Sequence, residues 1–95
     1  MSNKITLKEF FESEEELWIW CDTKIKAKKL LKEFDKLGKK WWKGSGDDCS
    51  YLKYDHYSFY KKITCYGNNG TYSNLYTLQS DHEKIYNFED VIFED

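Results

Sequence analysis

The sequence predicts an α+β fold: one small domain over residues 1–95, with a short N-terminal helix, a strand and one main helix packed on a largely antiparallel sheet of four to five strands. Three observations lead there. A chain of 95 residues has room for one hydrophobic core and not for two. Only the stretch from Asp22 to Gly38 carries apolar residues at helical spacing over several turns. Beyond it, apolar and aromatic residues alternate in short runs separated by Gly, Asn, Ser and Asp, the pattern of strands and turns.

The elements follow in order. Thr6 is placed to cap a short helix through Phe11 and Glu12, with Glu9 three residues later closing a capping box and an end expected near Ser13. Leu17-Trp18-Ile19-Trp20-Cys21 reads as the first strand, with Leu17, Ile19 and Cys21 on one face and both tryptophans on the other. Asp22 or Thr23 then caps the main helix. Its buried stripe is Ala27, Leu30, Leu31, Phe34 and Leu37, and Gly38 stops it. Lys39 to Lys43 is the expected entry to a second strand, and Gly44 to Asp48 a loop.

Tyr57 to Tyr66 reads as a strand with Tyr57, Phe59, Ile63 and Cys65 on one face. Gly67-Asn68-Asn69-Gly70 is a hairpin turn, and Thr71 to Gln79 returns as the partner strand. Ser80 to Glu83 turns the chain again, and Lys84 to Phe93 supplies a final strand or a pair of extended pieces. One main helix covers only one face of a sheet, so the other is expected to be partly open. Trp18, Trp20, Tyr60 and Tyr66 fall on that face, available to solvent, a ligand or a second subunit. A homodimer is the expected way to cover it.

Composition narrows the function classes. The chain is 19% aromatic and carries net charge −2, and all 15 of its cations are Lys. Without Arg there are no bidentate forks for reading bases, and the overall charge argues against a general nucleic-acid coat. Charge is nevertheless segregated: Met1 to Cys21 is acidic, Asp22 to Lys40 has eight Lys against three acids, and Asp81 to Asp95 is acidic again. No apolar stretch near Met1 or elsewhere approaches the length of a signal core or membrane span, and the 3 Cys include no C-x-x-C pair. A reducing, cytoplasmic setting without membrane contact is the expectation.

Cys49, Asp55, His56, Cys65 and His82 are the residues from which a metal site would be drawn, and their spacing fits no zinc pattern. Cys65 and His56 lie an odd distance apart, so within one strand they face opposite ways and make no nucleophile and base pair. The acids gather at the termini and in turns. No cofactor, no metal and no catalytic residue is therefore expected. Trp42-Lys43-Gly44-Ser45-Gly46 is more informative, joining an aromatic plane, a cation and a hydroxyl to two glycines that let the backbone approach a phosphate. It is not a Walker sequence. Tyr66 and Asn68 pair a ring with an amide in the same way, and the expected ligand pocket comprises Trp42, Lys43, Ser45, Tyr66 and Asn68.

Taken together, Cys21-Asp22-Thr23, Lys28 to Phe34, Leu37 to Trp41, Thr64-Cys65-Tyr66, Gly70-x-Tyr72 and Ile85-Tyr86-x-Phe88-Glu89-Asp90-Val91 give the chain its likeness to known proteins. Over nearly its whole length it resembles small phage and prophage accessory proteins of low-GC Gram-positive bacteria. The resemblance implies counter-defence in an infected host, either as a sponge for a nucleotide-derived immune signal or as a direct inhibitor of a host defence protein. The first implication suits stacking rings and loop cations best, because a sponge needs no catalytic group. The second would use the acidic or aromatic surface.

Overall fold

A computed structural model describes residues 4–40, 51 and 57–93. Local sequence fixes the first turns. The Thr6 hydroxyl accepts from the Glu9 N–H at 3.1 Å while the Glu9 carboxylate accepts from the Thr6 N–H at 3.0 Å. This reciprocal cap starts helix α1, Leu7–Glu12, directly after the two-residue strand β1, Ile5–Thr6. Strand β2, Leu17–Cys21, follows, and then helix α2, Lys24–Lys36, capped by Thr23.

Gly38 ends α2 at φ 76°, letting its own N–H reach Asp35 O and the Lys39 N–H reach Phe34 O. Nothing lies within 4 Å of where a Cβ would stand, so conformation rather than space favours glycine there.

Residues Tyr57–Tyr60 form a short helix, α3, and Lys61–Ile63 a 3₁₀ turn, before strand β3, Thr64–Gly67. The single strand expected from Tyr57 is therefore broken: Lys61 takes φ 50° and its carbonyl accepts the Thr64 hydroxyl at 2.7 Å. Strand β4, Tyr72–Asn74, is likewise shorter than expected, because Asn74 accepts the Thr77 N–H and caps a second-face helix, α4, Leu75–Ser80. Strand β5, Lys84–Asn87, a 3₁₀ turn at Phe88–Asp90, and strand β6, Val91–Ile92, complete the chain as a pair of extended pieces.

The fold class is α+β, with a four-stranded mixed sheet ordered β4-β3-β2-β5 and a separate parallel pair, β1 with β6. β2 runs antiparallel to β3 and parallel to β5. Strand alternation sends Leu17, Ile19, Cys21 and Tyr66 to one face, where Phe10 of α1 and Ala27, Leu30, Leu31 and Phe34 of α2 bury them. Trp18 and Cys65 go to the other face, where Leu75 and Leu78 of α4 cover them.

The face expected to be partly open is thus covered by α4 at Trp18, while Trp20 keeps part of its surface exposed. Trp18 is 6% exposed, and its indole N–H donates to Glu83; Trp20 is half-buried and donates to Lys62 O. Gly67 stands opposite Trp18 in the ladder, and a Cβ there would come within 2.8 Å of the Trp18 ring.

Candidate functional site

Residues 7, 8, 11 and 12 share one side of α1, and residues 33, 36 and 37 share one side of α2, because positions three and four apart are helical neighbours. These two sides border a groove of about 720 Å³ that also reaches Lys39. A cavity of that size suits a small molecule. Its apolar part is Leu7, Phe11 and Leu37, and its charged part is Lys8, Lys36 and Lys39 with Glu12 and Glu33.

The adjacent Phe10 and Phe11 divide their work. Phe10 points into the core with no exposure, whereas Phe11, turned about 100° further round the helix, is half-buried at the groove. Phe11 is braced by edge contacts to Phe10 and Phe34, with centroids 5.1 and 4.8 Å apart. The Lys39 ammonium lies 4.9 Å from its centroid, a cation–π contact.

Glu33 is 8% exposed and accepts from Lys29 and Lys36, each at 3.3 Å. Burial pushes its carboxyl up, but the hydrogen bonds from Lys36 and Lys29 outweigh burial and hold it below the usual carboxylate range. It is therefore an anion at neutral pH. Lys8 and Lys39 form no ion pair among the described residues.

Of the pocket residues expected from sequence, Trp42, Lys43 and Ser45 lie outside the described residues. Tyr66 and Asn68 are elsewhere. Tyr66 has no exposed surface and packs in the core under α2, so its ring offers no face to a ligand. The Asn68 amide NH₂ donates to Phe10 O and Glu15 O at 2.9 Å each, and its oxygen accepts the Leu17 N–H at 3.2 Å. That side chain ties α1 and the following turn to β2.

Sequence reasoning missed Phe11, Lys8 and Lys39. The signal was present: in a six-residue helix carrying Phe10-Phe11, only one ring of the pair can face the sheet.

Among the described residues no group of three His, Cys, Asp or Glu side chains could hold a metal. Cys21 and Cys65 are buried and free; burial pushes the Cys65 thiol up to about 12 and, with the charge of Cys65 adding to it, the Cys21 thiol well above its usual value. Neither is a thiolate at neutral pH. No described helix is long and apolar enough to cross a membrane. No family model, no curated protein and no solved structure matches the chain.

Proposed function

We propose that the chain is a non-enzymatic binding module that captures a nucleotide-derived ligand in the groove between α1 and α2. Lys39 poised over the half-buried Phe11 ring carries the reading. A ligand base that slides onto Phe11 displaces the Lys39 ammonium from the ring, and the freed ammonium, with Lys8 opposite, meets the ligand's phosphate. Base–aromatic stacking contributes about 1–3 kcal/mol. In the setting implied by the resemblance to phage accessory proteins, holding an immune signal in this way keeps it from its effector.

The test is calorimetric titration of adenine, cyclic and ADP-ribose-type nucleotides into wild type, Phe11→Leu and Lys39→Ala, with recovered nucleotide checked by chromatography. Binding without turnover, weakened by about 1.5 kcal/mol in Lys39→Ala, is the expected result. The absence of heat with every nucleotide removes the reading. One observation favours a second reading, inhibition of a host defence protein: Phe59 and Tyr76, 67% and 66% exposed, present aromatic surface away from the groove.

A further inference from the structure

We infer that the groove selects its ligand by charge, taking nucleotides with one or two negative charges and disfavouring polyphosphates, with Glu33 and Glu12 setting the limit. The inference rests on the proposal that the groove binds a nucleotide.

Among the described residues the lysines lining the groove are Lys8, Lys36 and Lys39, and Lys36 is engaged by Glu33, whose single charge it shares with Lys29 at 3.3 Å each. That leaves Lys8 and Lys39 to neutralise a ligand, with the exposed Glu12 on the same rim. A phosphodiester brings one negative charge and a single terminal phosphate up to two, no more than these two cations offer. Each additional phosphate brings further negative charge beside Glu12 and Glu33. The chain has no Arg to clamp a phosphate chain with paired donors. Leu7 and Leu37 beside Phe11 give the ligand's ring an apolar floor, which is the same for every member of a series that differs only in phosphate.

The experiment is an adenine series of rising charge, adenosine, 3′,5′-cyclic AMP, AMP and ATP without magnesium, titrated into wild type, Glu33→Gln and Glu12→Gln. Wild type should bind cyclic AMP and AMP more tightly than adenosine, and ATP roughly fivefold more weakly than AMP. Each Gln variant should move the ATP-to-AMP ratio toward ATP by roughly threefold or more.

ATP binding more tightly than AMP in wild type, or an unchanged ratio in both variants, overturns the charge limit while leaving the groove as a nucleotide site. Adenosine binding as tightly as AMP does the same, since phosphate would then play no part. A series that gives no heat at all sinks the groove proposal itself. Thermal melts accompany each titration; if Glu33→Gln is unfolded, Glu12→Gln, exposed at the end of α1, decides the matter alone.

Discussion

The two faces of the central sheet are covered by different means. Under α1 and α2 the cover is large side chains excluded from water: Phe10, Phe34, Leu30 and Ile19 have no exposure, and Phe34 touches Phe10, Phe11 and Tyr51 with centroids 5.8, 4.8 and 5.1 Å away. Under α4 the buried cluster is Trp18, Cys65, Leu75 and Leu78, and hydrogen bonds from the two indoles pin its edges to Glu83 and Lys62. The first face is held by area and the second by a few directed contacts from two indole rings. Area resists local opening, so α2 should carry the most protected amides and α4 should open first.

The most severe test of that difference is a pair of truncations. Phe34→Ala should cost about 3–5 kcal/mol in urea denaturation. Leu78→Ala, on the other face, should cost about 2–3 kcal/mol, because the neighbouring surface can relax into the space. A larger loss from Leu78→Ala than from Phe34→Ala would reverse the ranking of the two faces.

Asn68 comes next. Its amide serves Phe10 O, Glu15 O and the Leu17 N–H together, and Asn68→Ala strands the part-buried Phe10 O and Leu17 N–H while the exposed Glu15 O can turn to water. The expected loss is about 2–3 kcal/mol, the cost of unpaired buried polar groups. Asn68→Asp keeps the acceptor but sets a carboxylate oxygen against the Phe10 and Glu15 carbonyls, so it should cost at least as much as Ala. If α1 contributes as argued, both variants should also loosen the groove and raise hydrogen exchange in α1.

The two helices bordering these faces also end alike, and this shows what was legible in the sequence. Gly38 closes α2 at φ 76°, and His82 stands at φ 59° after α4, with the His82 N–H on Gln79 O and the Glu83 N–H on Leu78 O. A glycine after a long apolar stripe is a signal; a histidine after six residues is not. The same contrast runs through the fold. Thr6 with Glu9, Thr23 and the stripe from Ala27 to Phe34 announced α1 and α2 because each cap or period is repeated within a few residues.

Asn74 announced nothing, since a six-residue helix holding Leu75 and Leu78 is too short to separate helical spacing from strand alternation. Lys61 at φ 50° broke a strand that composition favoured throughout. Without α4, strand alternation alone leaves Trp18 wet, and placing Cys65 in the core sends its neighbour Tyr66 to the outer face. The groove was hidden for another reason: it joins residues 7–12 to residues 33–39, more than twenty positions along the chain, and no local motif marks it.

Gly38→Ala should cost about 1–2 kcal/mol, the penalty for an L-residue in the left-handed region, in thermal or urea melts. His82→Gly removes that same penalty on the α4 side while loosening the unfolded chain, so its change should be within about 0.5 kcal/mol. A large gain from His82→Gly would mean that α4 is held under strain.

Acid provides a gentler probe of the α2 side. Lys26 bonds Asp22 at 2.7 Å and also pairs with Glu89, strapping the start of α2 to the turn at Phe88–Asp90. The hydrogen bond from Lys26 holds both carboxyls below their usual range. A depressed folded-state pKa gives stability that is present above the unfolded value and lost as pH falls through the folded one. Melting temperature should therefore decline below about pH 4, and added salt should shrink the decline. Asp22→Asn should flatten it, whereas a decline identical in that variant would assign the acid limb to other carboxylates.

A small expected change in stability accompanies the largest expected change in binding at Lys39. Lys39 lies past the end of α2, exposed, with its ammonium 4.9 Å from the Phe11 centroid. An exposed cation–π contact contributes about 0.5–1 kcal/mol, and the Phe11 ring keeps its contacts with Phe10 and Phe34 when the ammonium is removed. Lys39→Ala should accordingly melt within a few degrees of wild type while binding AMP roughly tenfold more weakly. Phe11→Leu separates the two contributions: it keeps an apolar floor but loses the plane, so it should weaken AMP and adenosine alike, whereas Lys39→Ala should weaken AMP and spare adenosine. If Lys39→Ala lowers both affinities equally, Lys39 acts by holding the groove open and not by meeting the phosphate.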